Sequence, residues 1–209
     1  MIKYCYRFQW KGGWIPTELR ERIIEASLKL FEQHGFHGVT VNQIVETAGI
    51  SKGGFYHHFT SKDELLFVIH DIFITYVLER AIKANEQNLP AKERLRLIIK
   101  EFVSVFDIYK AHLTVFYQES IYLKAEHEEI VRKKRNEFKT IIQNVIEEGV
   151  TNGAFRHDLS VEITTMAILG MVNWTYKWYQ RNGEKRIEEI ANIYTDLILH
   201  AVTGDKTSE

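Results

Sequence analysis

Apolar side chains recur three and four positions apart along almost the whole chain. This spacing places them on one face of an α-helix, and it continues through several long segments. Only two prolines are present, so few of these segments are broken from within. The pattern therefore predicts an all-α protein of about nine helices.

Capping residues divide the N-terminal part of this pattern into short helices. We predict a first helix that starts at Pro16 and two short helices over about 41–48 and 52–58. A long fourth helix over about 61–86 carries Glu64 three residues after Ser61, which predicts a capping box. The other cap candidates are Thr17, Thr40 and Ser51 at helix starts, and Gly35 and Gly49 at helix ends.

The rest of the chain predicts five further helices, which together form a larger helical body. They cover about 91–109, 111–123, 126–151 and 160–181, and a last helix follows Asn182-Gly183. We therefore divide the chain into an N-terminal extension (1–15), a three-helix helix-turn-helix head (16–62), a ligand-binding and dimerisation body (63–202) and a disordered tail (203–209).

The third predicted helix has two unlike sides. At 100° per residue, Phe55, His58 and Phe59 lie on one side, which suits a small core. Gly53 lies with Tyr56 on the other side, together with His57, and no acid is present there. Each glycine costs a helix about 0.5–1 kcal/mol relative to alanine. Close approach of another surface explains that cost, and two helical turns fit a DNA major groove about 12 Å wide.

The same region resembles the TetR-type transcriptional repressors. The match runs without gaps over about residues 17–66. The residues that carry it are Gly35, Phe36, Gly38, Thr40, Ile44, Ala48, Gly49, Ile50, Ser51, Gly53, Phe55, Tyr56, His58, Phe59, Ser61, Lys62, Asp63, Leu65 and Leu66. The resemblance implies a homodimer that binds a double-stranded, pseudo-palindromic DNA operator and is released by a small-molecule inducer.

The resemblance also implies roles for particular residues. Lys52 and Gly53 are expected to approach bases, and Asn42 to reach a base or a phosphate. The residues expected to contact mainly phosphate are Thr40, Gly54, Tyr56, His57, His58 and Lys62. In the family the last two helices pair across a two-fold axis. The expected interface residues here are Ile187, Ile190, Tyr194, Leu197 and Ile198.

The aromatic residues of the body allow two interpretations: a filled aromatic core, or an apolar ligand tunnel with polar groups at its mouth. The resemblance favours the tunnel. The segment 170–179 is also similar to TetR-type regulators of lipid and steroid breakdown that respond to acyl-CoA thioesters. The expected ligand contacts are Phe102, Phe106, Tyr109, Phe116, Tyr117, Met166, Gly170, Asn173, Trp174, Lys177, Trp178 and Arg181.

Charge and composition narrow the function. The chain has a net charge of −1, but residues 1–62 hold eight Lys and Arg against five Asp and Glu. A basic head on an acidic body is expected if only the head meets phosphate. The aromatic and cationic segment 1–15 is either a loosely packed tail or misassigned start, or an arm that reaches the DNA.

The sequence gives little support for a secreted protein, a membrane protein or an enzyme. A single cysteine indicates a reducing cytoplasm, and no run of about 18 apolar residues predicts a membrane span. We find no catalytic fingerprint and expect neither an enzyme nor a cofactor or metal. The alternatives left open are a regulator of the same fold with another hydrophobic or aromatic effector, and a helical lipid- or thioester-binding protein that does not bind DNA.

Overall fold

The computed structural model describes residues 18–204, and these residues form helices and connecting turns without a β-strand. The first three helices form the head, the fourth runs from the head into the body, and the remaining helices form the body. The helices are α1 (Glu18–His34), α2 (Val41–Ala48), α3 (Lys52–His58), α4 (Lys62–Asn85), α5 (Ala91–Ile108), α6 (Lys110–Gln118), α7 (Ala125–Thr151), α8 (Val161–Asn173), α9 (Thr175–Trp178) and α10 (Ile187–Thr203). A 3-10 turn spans Ser120–Tyr122. The predicted Thr17 cap, the extension 1–15 and most of the tail lie outside the described residues.

The all-α prediction is confirmed, and two helix ends differ from it. The sixth helix stops at Gln118, and the predicted eighth helix is interrupted at Trp174 and ends at Trp178 rather than at residue 181. Counting the single turn α9 with α8, the described chain has the nine predicted helices. The helix ends because Tyr179 turns into the body, where its hydroxyl donates to Asp107 Oδ1 at 2.9 Å.

The caps of the short helices follow the prediction closely. The Thr40 side chain accepts from Gln43 N at 3.3 Å, while Gln43 Oε1 accepts from Thr40 N at 2.8 Å. Gly49 ends α2 in the left-handed region at φ 64°, a conformation that a side chain disfavours. At α4 the expected box is altered: Ser61 accepts from Glu64 N, but the Glu64 carboxylate accepts from Thr60 N at 2.5 Å instead of from Ser61 N.

Two hydrophobic cores meet along α4. The head core contains Phe55 and Phe59 of the third helix region together with Leu65 and Ile69 of α4. The body core begins one to two turns later on the same helix, at Phe73, and includes α5, α7 and α10. The first turns of α4 thus belong to the head by packing. One rigid helix connects the two cores, and the predicted boundary at residue 62 stays a prediction.

Candidate nucleic-acid interface and effector cavity

The structure separates the two sides of α3 as the periodicity predicts. Phe55 is fully buried, while the Tyr56 side chain is 53% exposed. Lys52, Gly53 and His57 are also exposed. The buried ring fixes the helix to the head, so the opposite face is presented to the outside in a defined orientation.

A clamp from α1 holds the turn between α2 and α3. The Arg22 guanidinium donates to the carbonyl oxygen of Gly49 at 3.1 Å and also to that of Ala48. These carbonyls lie at the end of α2, where the helix leaves them without partners. The clamp therefore sets the angle at which α3 leaves the head.

Nothing in the described chain explains glycine at position 53. A Cβ added to Gly53 would approach only the Ser51 hydroxyl, at 3.7 Å, which is ordinary contact, and its φ is not positive. Gly49, by contrast, needs its positive φ. Because glycine weakens a helix, the small residue at position 53 is better explained by a surface that approaches α3 from outside.

Thr40 and Asn42 are exposed beside this face, at the start of α2. Gly54 is half-buried, on the side that faces Leu19 of α1. Exposure of the first two residues is compatible with their expected DNA contacts, which stay predictions.

The Lys62 side chain is held inside the head, whereas a phosphate contact was expected of it. Its ammonium donates to Phe36 O at 2.7 Å and to Val39 O at 2.6 Å, and it lies 4.2 Å from the centre of the Phe36 ring. Burial lowers the pKa of the Lys62 ammonium. The side chain thus ties the turn between α1 and α2 to the start of α4, and two of its three N–H groups are occupied inside the head.

His58 lies on the inner side of α3, as the wheel indicates. It is half-buried and lines a cavity behind the head. Burial lowers the pKa of this imidazole, and the nearby His57 and Arg20 lower it further. Its place away from the outer face of α3 does not favour the expected phosphate contact.

The aromatic residues predicted to line a body tunnel fill the body core instead. Phe102, Phe106, Tyr109 and Phe116 are buried, and the Phe102 ring packs edge-on against Phe138 with centroids 4.8 Å apart. This arrangement corresponds to the first of the two interpretations, a well-filled aromatic core.

The other predicted ligand residues do not converge on one space. Tyr117 donates to Asn173 Oδ1 at 2.6 Å, and Arg181 Nε donates to Asp107 Oδ1 at 3.1 Å. Lys177 is exposed and lies 5.0 Å from the centre of the Tyr176 ring. The members on the outer side of α8 and α9 are exposed: Met166, Gly170, Trp174 and Trp178. Trp174 and Trp178 therefore lie on the outer surface of the subunit, and their expected role as walls of an acyl channel stays a prediction.

The predicted interface residues of α10 are also divided. Ile187, Ile190 and Ile198 are buried in the body core of their own subunit. Tyr194 is half-buried and accepts from Thr175 Oγ1 at 3.3 Å. Leu197 alone of the five is exposed, at 55%. The more regular apolar side of α10 thus faces α5 of the same subunit, and the expected dimer interface stays a prediction.

A large cavity lies at the junction of head and body, where sequence reasoning did not expect one. Its volume is about 520 Å³, within the range of ligand pockets. Residues of α1, the turn between α3 and α4, the first half of α4, α6 and the start of α7 line it. These segments are far apart in sequence, so no local sequence motif predicts the cavity.

Two findings concern other kinds of site. Among residues 18–204 we find no group of three or more His, Cys, Asp or Glu side chains arranged to hold a metal ion. No helix in the same part of the chain is long and apolar enough to cross a membrane.

Comparison with protein families identifies the class of protein. The family of "Bacterial regulatory proteins, tetR family" matches residues 23–69, and the "Tetracyclin repressor-like, C-terminal domain" matches residues 88–202. The chain therefore belongs to the TetR family of transcriptional regulators, whose members are DNA-binding proteins and not enzymes.

Individual relatives align with this chain over most of its length. The chain is 24% identical over 195 residues to the transcriptional repressor KstR2 of Mycolicibacterium smegmatis, covering 91% of this chain and 95% of the relative. Among solved structures, the TetR-family regulator PfmR of Thermus thermophilus is 31% identical, with a TM-score of 0.80, covering 86% of this chain and 97% of PfmR. AibR, solved in complex with isovaleryl coenzyme A and operator DNA, is 21% identical with a TM-score of 0.75, covering 89% of this chain and 98% of AibR.

Proposed function

We propose that this DNA-binding regulator is a homodimeric cytoplasmic repressor, released from a pseudo-palindromic operator by a small apolar or acyl-CoA-like effector. The main support for DNA binding is the outer face of α3. It carries the exposed Tyr56 and Gly53, a glycine that the fold itself does not require. A face without acids that lets a partner approach the backbone suits a major groove lined by phosphates.

The exposed side of α3 supplies the contacts in this proposal. Lys52 and Gly53 approach base edges, and Tyr56 and His57 contact phosphate, with Gly54 close to them. Thr40 and Asn42 reach the DNA from the start of α2. Lys62 and His58 support these contacts from inside the head, because their side chains point away from the outer face of α3.

Exposed apolar residues on the last long helices support the dimer. Ile163 and Met166 are exposed on α8, and Trp174, which directly follows α8, is exposed as well. Their spacing puts them on one side. Ile193 and Leu197 are exposed one turn apart on α10. Apolar side chains of this size gain about 25 cal/mol for each Å² removed from water, so a second copy of the chain is a suitable partner. Two heads related by two-fold symmetry then read two half-sites.

The effector half is supported by the relatives and by the head–body geometry. KstR2 is a repressor and AibR was crystallised with both isovaleryl coenzyme A and operator DNA. Here α4 belongs to both cores, so a ligand that tilts α4 changes the spacing of the two heads. Such couplings typically amount to about 1–3 kcal/mol.

The experiment is a binding titration with labelled DNA from the upstream region of the protein's own gene, across a salt series, with and without a long-chain acyl-CoA. We expect sequence-specific binding that weakens with salt and is reduced by the acyl-CoA. A scrambled DNA of the same length is the control. Specific binding that ignores acyl-CoA would reject that effector and retain the repressor. Equal binding to the upstream DNA and the scrambled DNA would show that the operator does not lie in this region. Binding to neither DNA would favour a lipid-binding protein without DNA binding.

A further inference from the structure

The cavity at the junction of head and body has walls from both parts. Arg20 and Ile24 of α1 and His58 at the end of α3 form its head side, and His112 of α6 and His127 of α7 form its body side. We propose that this junction cavity, and not the aromatic core of the body, holds the uncharged apolar part of the effector. This inference rests on the effector response proposed above and assigns that response a site.

Size and lining favour an apolar guest. A volume of about 520 Å³ lies within the 300–1,000 Å³ typical of ligand pockets. Ile24 lines it from α1, and Phe67, Val68 and Ile72 line it along one side of α4. A space in the body core beside Phe106 has a volume of only about 10 Å³, about enough for one water molecule.

The charges on the wall argue against a buried anion. Four carboxylates line the cavity, from Glu21, Glu64, Asp71 and Glu126, against two cations, from Arg20 and Lys124. The ammonium of Lys134 donates to Asp71 and, at 2.7 Å, to Thr75 Oγ1, while Lys124 lies 3.7 Å from Asp63. A phosphate or carboxylate would lose its water among carboxylates, which is unfavourable. The guest is therefore uncharged, and a charged group attached to it stays outside.

The position of the cavity gives its occupant a direct route to the DNA-binding head. Lys124 and His127 line the cavity, and a few residues earlier Tyr122 contacts the turn after α1. The Tyr122 ring lies 4.2 Å from that of His37 and 6.0 Å from that of Phe36, centre to centre. Lys62 holds the same turn through Phe36. A guest that displaces the 122–127 segment thus displaces the support of the helix-turn-helix.

The same apolar chemistry has two possible sources. A free uncharged lipid, such as a long-chain alcohol, brings a hydrocarbon chain alone. An acyl thioester brings the same chain with a polyanionic carrier, which remains in solvent. The two sources differ in the carrier and not in what the cavity holds.

The test is calorimetric titration of the full chain with n-decanol, decanoyl-CoA and free CoA. Val68→Trp fills the cavity, and Val68→Phe fills it less in case the larger residue disturbs the head. Ile130→Trp is the matched control, since Ile130 is an exposed residue of α7 that is absent from the cavity wall. Circular dichroism melting shows whether each variant is folded.

We expect the wild type to bind at least one of the two decyl compounds and not free CoA. Val68→Trp should weaken that binding by about tenfold or more, with a smaller loss for Val68→Phe, because added side-chain volume excludes the chain. Ile130→Trp should bind as the wild type does. Binding of n-decanol indicates a free lipid, and binding of decanoyl-CoA alone indicates a thioester.

Unchanged affinity in both folded Val68 variants overturns the proposal, as does a wild type that binds neither decyl compound. Operator binding, measured in parallel, separates this failure from failure of the proposed function. A chain that binds ligand in the cavity but no DNA retains the site and rejects the repressor. A chain that binds its operator but loses no ligand affinity in the variants retains the repressor and rejects the site.

Discussion

At the scale of single residues, two glycines near α3 illustrate two different physical reasons for one residue type. Gly49 ends α2 with a positive φ, and the fold itself requires it. Gly53 has ordinary helical backbone and open space around its Cβ position. Gly49 is required by the backbone conformation of the fold. Gly53 is explained by a partner surface that approaches α3 from outside.

Replacement of Gly53 by alanine should separate stability from DNA binding. We expect Gly53→Ala to raise the free energy of unfolding by about 0.5–1 kcal/mol, because alanine loses less backbone entropy in a helix. Operator affinity should fall at the same time, because the added methyl group keeps the backbone away from the bases. Urea unfolding and fluorescence anisotropy with labelled operator measure the two quantities. A more stable variant with unchanged affinity would remove Gly53 from the interface.

Tyr56 offers a matched pair of substitutions. The Tyr56 ring is half outside the head and contacts Phe55 edge-on at 5.3 Å, so neither change should unfold the protein. Tyr56→Ala should weaken operator binding by about 1 kcal/mol, the usual contribution of one hydrogen bond. Tyr56→Phe should show a similar loss if the hydroxyl makes the contact, and little loss if the ring does. Wild-type affinity in the alanine variant contradicts the assignment.

At the scale of elements, α10 shows that periodicity predicts a helix but not which side of it packs against the rest of the subunit. The regular apolar side of α10, with Ile187, Ile190 and Ile198, packs into its own subunit. Residues at other positions, such as Ile193 and Leu197, remain exposed. These two residues give the otherwise polar outer side apolar positions one turn apart, so the sequence pattern shows two candidate faces. Only the packing against α5 decides which one is left for a partner.

The proposed interface can be tested on α10. Leu197→Glu should convert the dimer to monomer at micromolar concentration, because a carboxylate in an apolar interface loses its hydration. Analytical ultracentrifugation measures the change, and operator affinity should fall with it because two heads no longer bind together. Ile130→Glu, on an exposed apolar residue of α7, is the matched control and should remain dimeric. A dimeric Leu197→Glu places the interface elsewhere.

At the scale of the whole molecule, α4 joins a small head core to a larger body core, and the junction cavity lies beside it. Close-packed cores transmit displacements because they have little free volume. A ligand at the junction therefore acts on two bodies that are each rigid. The proposed site at the junction would therefore let a small guest act on the position of the head directly.

Buried histidines of the body make global stability depend on pH. Burial lowers the pKa of His70 to about 4 and that of His112 to about 3. His70 also faces the charge of Arg135, which lowers its pKa further, whereas its hydrogen bond to the Leu66 carbonyl raises it. In the unfolded chain both imidazoles bind a proton near pH 6.5. Stability is thus fully present above pH 6.5 and is lost as the pH falls towards the folded-state values.

We expect the free energy of unfolding to fall by about 1 kcal/mol per pH unit for each of the two histidines between pH 6 and pH 5. Urea unfolding at pH 7, 6 and 5 measures this slope. His70→Gln should reduce the slope, and His200→Gln, at an exposed position, should leave it unchanged. Equal stability at pH 7 and pH 5 would show that these imidazoles accept protons in the folded state.

The amino-acid sequence by itself determined the number of helices, the caps of the two short ones and the outer face of α3, because these depend on residues that are three or four positions apart. It also determined the family, since the head motif is continuous in the chain. Only the tertiary structure decided which apolar sides face inwards, that Lys62 is held inside the head, and that the cavity lies between α1, α4 and α7 and not within the body. Those features depend on contacts between residues far apart in the chain, for which a one-dimensional pattern carries no signal.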